Sequence, residues 1–205
     1  LFVALIIFFL TFNYIFKFNN YDYIFFSISF FIIGFLDDIK LTLQPSLRLI
    51  LMIIFLSIGL ILFDIQITKT GLTFLNLWLE NSIFQYVFLI LCFLFIINGC
   101  NLIDGFNGLL AIHLIIINSV ILFIYLSNDS QNTNLFLSGQ IFIMFCLLLF
   151  NFPNAKMFMG DSGAYLLGAL TSLNIINASN TFLNISPFFL QHCYSIYSSK
   201  YSFPF

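Results

Sequence analysis

Residues 135–170 read LFLSGQIFIMFCLLLFNFPNAKMFMGDSGAYLLGAL. An apolar run reaches Phe150, a short polar stretch follows, and a second apolar run begins near Ser162. Hydrocarbon segments of this kind, in a chain with no alternation of apolar and polar residues, read as helices in a bilayer, where every backbone group must be hydrogen-bonded internally. Joining two such helices needs only a few residues. Here the join holds Pro153, Lys156, Phe158, Met159, Gly160, Asp161 and Gly163, so it is either an elaborate turn or a site.

Composition supports the membrane reading. The chain is 61% hydrophobic and 7% charged, with a mean hydropathy of +1.09. Soluble domains carry about 25% charged residues, so this chain lacks the polar surface to face water. A net charge of −2 leaves no footprint for nucleic acid. The four cysteines, Cys92, Cys100, Cys146 and Cys193, form neither a CxxC pair nor a disulfide framework. The opening LFVALIIFFLTFNYIF has no basic segment before it and no small-residue cleavage site. It reads as the remainder of a helix.

Seven apolar runs are visible, at roughly 1–16, 23–36, 47–63, 84–97, 109–127, 135–150 and 162–176. The expected fold is all-α: one integral-membrane domain over residues 1–205, a polytopic bundle of about seven runs, expected to be shortened at both ends. Counting spans places the loops after runs two, four and six on one face. These loops hold LDDIK, NGCNLIDGFNG and NFPNAKMFMGDSG, and with them Asp37, Asp38, Asp104 and Asp161. Lys40, Arg48 and Lys156 share that face, against Lys17 and Lys69 opposite. The excess places the motif face in the cytoplasm.

Each loop has a plain reading and a chemical one. Asp37 and Asp38 form a solvated helix terminus with Lys40 as counter-ion, or a pair that binds a divalent cation or activates a substrate. Asn98, Asn101 and Asp104 recur every third residue and meet at a helix end, with Gly105 and Gly108 allowing tight turns. Their oxygens suit a hard cation such as Mg²⁺. Gly160 allows close backbone approach to a ligand. Asp161, just before a helix expected over about 162–176, is a natural N-cap, at a terminus that also favours phosphate. Phe158 either dips into the membrane or offers a plate for a base. One face with four Asp, spaced Asn, two Lys and several Gly fits metal-assisted phosphoryl transfer at a bilayer surface.

Three motifs carry a family resemblance. GFLDDIK, NGCNLIDGFNGLLA and NAKMFMGDSGAYLLG resemble, in order and membrane side, the motifs of the polyprenyl-phosphate N-acetylhexosamine-1-phosphate transferases. These include the undecaprenyl-phosphate GlcNAc-1-phosphate transferases and the phospho-N-acetylmuramoyl-pentapeptide transferases of glycosyltransferase family 4. The resemblance covers residues 34–170 and implies transfer of a sugar-1-phosphate from a UDP-N-acetylhexosamine to undecaprenyl phosphate or another polyprenyl phosphate, releasing UMP. The cofactor implied is Mg²⁺, with Mn²⁺ as a substitute. The setting implied is the cytoplasmic face of a bacterial cytoplasmic membrane, at the start of cell-envelope glycan synthesis. A homodimer is compatible with it. By motif position, Asp161 and Asn101 would hold the metal, while Asp37, Asp38 and Asp104 would be catalytic. Lys40, Asn98, Gly105, Asn107, Lys156 and Gly160 would bind substrate, with Phe158 stacking on uracil.

The chain departs from the family pattern at three places. Asn107 stands where a second Asp is usual, and Ala164 where Ser is usual. The family continues into a basic, His-containing loop, whereas this chain ends in SPFFLQHCYSIYSSKYSFPF, and neither His113 nor His192 matches that motif. Two alternatives therefore stand beside a working transferase. One is an inactive, shortened member of the same family. The other is a transporter subunit, which would place acids in mid-span.

Overall fold

A computed structural model describes residues 1–39, 44–67, 69–70, 72–105, 108–126, 131–153 and 159–182. Those residues form helices α1 (Phe2–Phe16), α2 (Tyr21–Asp38), α3 (Pro45–Leu62), α4 (Thr73–Leu79), α5 (Ser82–Ile103), α6 (Leu109–Leu126), α7 (Gln131–Asn151) and α8 (Gly160–Thr181). The fold is all-helical and polytopic, as the apolar runs predict. Seven helices match the seven runs. The short α4 falls in the connection after run three, where no helix was expected.

By length and composition α3, α5, α6 and α7 can cross a membrane. Large apolar side chains on their outer faces are open, with Phe95 73% and Phe123 77% exposed. So much exposed hydrocarbon calls for lipid around it. Local signals fix several helix ends. Pro45 opens α3, where its missing N–H costs nothing. The Asn81 side chain accepts the N–H groups of Ile83 and Phe84 at 3.0 and 3.3 Å and so caps α5.

Helix α8 is the centre of the bundle and packs on α2, α5 and α6. Its residues from Gly163 to Ile176 are all buried, so protein rather than lipid surrounds it. Glycine makes two of these contacts close. A Cβ at Gly34 would overlap the backbone of Asp161 and Ser162, which sets α2 directly against the start of α8. A Cβ at Gly168 would lie 2.9 Å from Ile97 Cα, which does the same for α5.

The polar residues of α8 pair inside the bundle. Asn174 Nδ2 donates to Asn118 Oδ1 at 2.6 Å and Gln140 Oε1 at 2.8 Å, and its Oδ1 accepts from Tyr23 Oη at 2.7 Å. Asn118 Nδ2 in turn donates to Thr171 Oγ1 at 3.3 Å. This network ties α8 to α2, α6 and α7. Amide pairing of this kind stands in for the missing hydrophobic drive between helices in lipid.

Candidate active site

The motif loops meet at one end of the bundle, around the first turn of α8. Helix α2 ends with Asp37 and Asp38, α3 begins nearby with Arg48 in its first turn, α5 ends at Asp104, and α8 starts at Gly160. The up-and-down order of the helices brings these four ends together, as the count of spans predicts.

Asp38 holds the start of α8. Its Oδ1 accepts the Asp161 N–H at 3.0 Å and its Oδ2 the Ser162 N–H at 3.1 Å. The local residue at the N-cap position, Met159, supplies no side-chain cap. Asp161 therefore sits in the first turn of α8 rather than at its N-cap, and the cap comes from another helix. A carboxylate at a helix N-terminus also gains from the helix dipole. Gly160 has φ +68°, and a Cβ there would lie 2.8 Å from both Asp38 oxygens. The close approach that Gly160 permits is thus made by Asp38.

Arg48 was counted in the sequence only as a basic residue of this face, yet it joins two motifs. Its Nη1 lies 2.6 Å from Asp37 Oδ2 and 3.5 Å from Asp161 Oδ2. Its guanidinium carbon is 5.6 Å from the centroid of the Tyr165 ring, within cation–π range. Tyr165 Oη donates toward Asp161 Oδ2 at 3.5 Å and accepts from Asn101 Nδ2 at 3.2 Å. Asn101 is therefore tied to Asp161 through one phenol. The sequence held one pointer to Arg48, which is the only arginine in the chain and opens an apolar helix. Tyr165 had no such pointer.

Other expected residues fall out as follows. Asn98 donates to the Leu94 carbonyl of its own helix at 2.7 Å, so the three-residue repeat does not bring it to the cluster. Asp104 ends α5, and its N–H donates to the Cys100 carbonyl at 3.1 Å. Gly105 is exposed, with open space where a side chain would sit among the described residues. His113 is buried within α6. Lys40, Asn107, Lys156, Phe158 and His192 lie outside the described residues.

The acids here stand at helix ends, beyond the apolar runs. Asp161 is raised to about 6, first by burial and then by its shared hydrogen bond with Asp37 and the Asp37 charge. Asp37 is lowered by that same hydrogen bond and by Arg48. The shared hydrogen bond thus leaves the higher pKa of the pair on Asp161. Asp104 is raised by burial and by the Asp38 charge, with the Gly160 N–H acting in the opposite direction. Among the described residues four carboxylates face one guanidinium, an imbalance that a cation would relieve.

Among the described residues no three carboxylate, imidazole or thiolate groups form a cage for a metal. Mg²⁺ does not require one. It keeps several waters and binds through one or two carboxylates plus substrate phosphates. Asp161, with the amide oxygen of Asn101 whose nitrogen is engaged by Tyr165, fits that sparser donor set. Every described carboxylate sits in a terminal turn or beyond a helix end. None occupies the mid-span position that an ion path would use.

The chain is similar to known proteins over most of its length. The model of glycosyl transferase family 4 matches residues 20–179. A phospho-N-acetylmuramoyl-pentapeptide-transferase of Dictyoglomus turgidum is 31% identical over 157 residues, covering 74% of this chain and 50% of its own length. Another, from Leuconostoc citreum, is 32% identical, covering 66% of this chain and 40% of its own. A putative UDP-N-acetylglucosamine–dolichyl-phosphate N-acetylglucosaminephosphotransferase of Saccharolobus solfataricus is 33% identical, covering 67% and 43%. The chain thus spans half or less of the length of these relatives.

Proposed function

The chain belongs to glycosyl transferase family 4, and on that premise we propose that it transfers an N-acetylhexosamine-1-phosphate from a UDP-sugar to a polyprenyl phosphate. The observation that carries this reading is the convergence of Asp37, Asp38, Asp104, Asp161 and Arg48 at the first turn of α8. The relatives' names supply the substrate classes. The phospho-N-acetylmuramoyl-pentapeptide-transferases name a sugar phosphate as the group transferred, and the Saccharolobus protein names a UDP-sugar and a lipid phosphate.

The chemistry balances without a redox partner. An oxygen of the lipid phosphate bonds to the sugar-bearing phosphorus, the bond between the two donor phosphates breaks, and UMP leaves with the bridging oxygen. The second ionisation of a phosphate monoester lies near 6, so the nucleophile is largely charged at neutral pH. Placement therefore matters more than a strong base. Mg²⁺, or Mn²⁺ in its place, held by Asp161 and Asn101, would neutralise the donor diphosphate.

The residues divide the remaining work. Asp38 fixes the first turn of α8, so its role is positioning. Asp37 stays ionised beside Arg48, facing the acceptor as acid–base partner. Arg48 offers a planar fork suited to phosphate oxygens. Asp104, its pKa raised by burial, lies beside Gly160 on the nucleotide side, with Gly105 leaving room there. Lys40, Asn107, Lys156 and Phe158 keep the substrate-binding roles that their motif positions imply. The site faces the cytoplasm from a bacterial cytoplasmic membrane and feeds the first step of envelope glycan synthesis.

The test is direct. Membranes carrying the chain are incubated with UDP-GlcNAc labelled in the sugar, undecaprenyl phosphate and Mg²⁺. Label in the lipid fraction, lost in Asp161→Asn, is expected. A chain that is present in the membrane and yields no labelled lipid, beside a relative that does, would contradict the reading.

A further inference from the structure

Tyr165 is 0% exposed, whereas the side chain of Asp161, one turn before it on α8, is 30% exposed. A phenol enclosed in this way is closed to substrate, so any part it plays runs through its neighbours. Two of those neighbours are the candidate metal ligands. Its Oη accepts from Asn101 Nδ2 at 3.2 Å and donates toward Asp161 Oδ2 at 3.5 Å. Asp161 and Tyr165 stand four residues apart and so share a face of α8. Asn101 comes from α5, and the close packing at Gly168 and Ile97 holds the two helices together about one turn away from this bond.

Chemistry fixes the direction of both bonds. An ionised carboxylate only accepts, so the phenol must donate to Asp161. Its lone pairs then face Asn101, and only the NH₂ end of that amide can meet them. The amide oxygen is left as the end that the phenol does not engage. Hard cations take oxygen ligands, so an asparagine turned the other way would offer nothing to the metal. Resting on the transferase reading above, we propose that Tyr165 is a positioning residue: its hydroxyl orients Asn101 so that the amide oxygen, together with Asp161, is offered to the divalent cation, and it thereby sets the protein's affinity for that cation. Hydrogen-bonded supports of this kind are worth about 10–100-fold in metal affinity.

Tyr165→Phe isolates the hydroxyl. The ring stays, and with it the packing at the centre of the bundle and the contact with the Arg48 guanidinium at 5.6 Å. Binding of Mn²⁺ alone to the purified protein is read without turnover from the electron paramagnetic resonance signal of free Mn²⁺. Tyr165→Phe should raise the Kd about tenfold, and Asp161→Asn should abolish the binding. Asn101→Asp supplies the discriminating background, because a carboxylate presents oxygen at both ends and needs no turning. In that background Tyr165→Phe should cost much less than it does beside Asn101, and the difference is the coupling between the two residues. An unchanged Kd in Tyr165→Phe would overturn the proposal. So would an equal loss in both backgrounds, which would make Tyr165 an ordinary core residue.

The transfer assay reads the same point kinetically. Tyr165→Phe should need about tenfold more Mg²⁺ for half-maximal activity, with the KM for undecaprenyl phosphate unchanged and the loss recovered by excess Mg²⁺. A general loosening of the bundle would not give that split. Lipid labelling by the wild-type chain, with Tyr165→Phe binding Mn²⁺ as the wild type does, removes this inference alone. Failure of the wild-type chain to label lipid at all removes the transferase reading.

Discussion

Asp38 at the end of α2 accepts the backbone N–H of Asp161 at 3.0 Å, across 123 positions of sequence. One carboxylate thus orients the helix that carries the candidate metal ligand. Asp38→Ala should lower stability by about 1 kcal/mol, the usual cost of a lost N-cap, and should lower activity with it. Asp38→Asn keeps one acceptor oxygen and should fall between the two in thermal unfolding in detergent. If Asp38 were instead a proton acceptor, Asp38→Asn would match Asp38→Ala in kcat while keeping wild-type stability.

The fit between α2 and α8 depends on two glycines. Gly34→Ala pushes a methyl group into the backbone at Asp161 and Ser162, and overpacking of this kind costs about 1–3 kcal/mol. Gly160→Ala combines a left-handed backbone, costing about 1–2 kcal/mol, with a contact on the Asp38 carboxylate. Both variants should unfold at lower temperature than wild type. Gly105→Ala, where the described surroundings are open, should not.

Asp37 is lowered first by its hydrogen bond with Asp161 and then by Arg48, which also reaches Asp161. Removing it as Arg48→Gln lifts the Asp37 pKa, because the favourable charge is gone while burial remains. The acid limb of the pH–activity profile should then move to higher pH, with activity lower by about tenfold or more. Arg48→Lys restores the charge without the fork and should recover the pH limb better than the rate. An unmoved acid limb in Arg48→Gln would show that Asp37 does not depend on it.

Asp161 is raised to about 6 by burial and by Asp37. Below that pH it is protonated, and a proton there competes with a cation. At limiting Mg²⁺, activity should fall as pH drops through about 6 and recover when Mg²⁺ is increased. The sign for stability is also set. A carboxyl whose folded pKa is raised favours the folded state at low pH, and that contribution is lost as pH rises through about 6. Without Mg²⁺ the protein should therefore lose some thermal stability between pH 5 and 7, and added Mg²⁺ should restore it.

The amide network at the far end of α8 is structural. Asn174→Ala strips partners from Tyr23, Asn118 and Gln140. Each buried polar group left unpaired costs about 1–3 kcal/mol. Asn174 lies about 20 Å along the helix from Asp161 at 1.5 Å per residue. Thermal stability should fall while the KM values for both substrates stay near wild type.

Much of this architecture is legible in sequence, for physical reasons. A span must be apolar over many residues, so α1, α3, α5, α6 and α7 announce themselves. Span parity alone then places Asp37, Asp38, Asp104 and Asp161 on one face. Helix α8 is less legible, because a helix enclosed by protein carries Ser, Thr and Asn that a lipid-facing helix would exclude. The links from Asp38 to Asp161 and from Asn101 through Tyr165 to Asp161 join residues far apart in sequence. No periodicity records such contacts. Asn98 shows the reverse error, since regular spacing suggested convergence and its amide turned back to its own helix.

Placing the label on phosphorus tests the central claim most directly. UDP-GlcNAc carrying ³²P in the phosphate next to the sugar is given to membranes with undecaprenyl phosphate and Mg²⁺. Transfer of sugar-1-phosphate carries the ³²P into the lipid fraction and leaves unlabelled UMP in water, and this is the result expected for the wild-type chain and not for Asp161→Asn. If sugar reaches the lipid while the ³²P stays in water as UDP, the chain transfers sugar alone, and the phosphoryl-transfer site built around Asp161 is wrong.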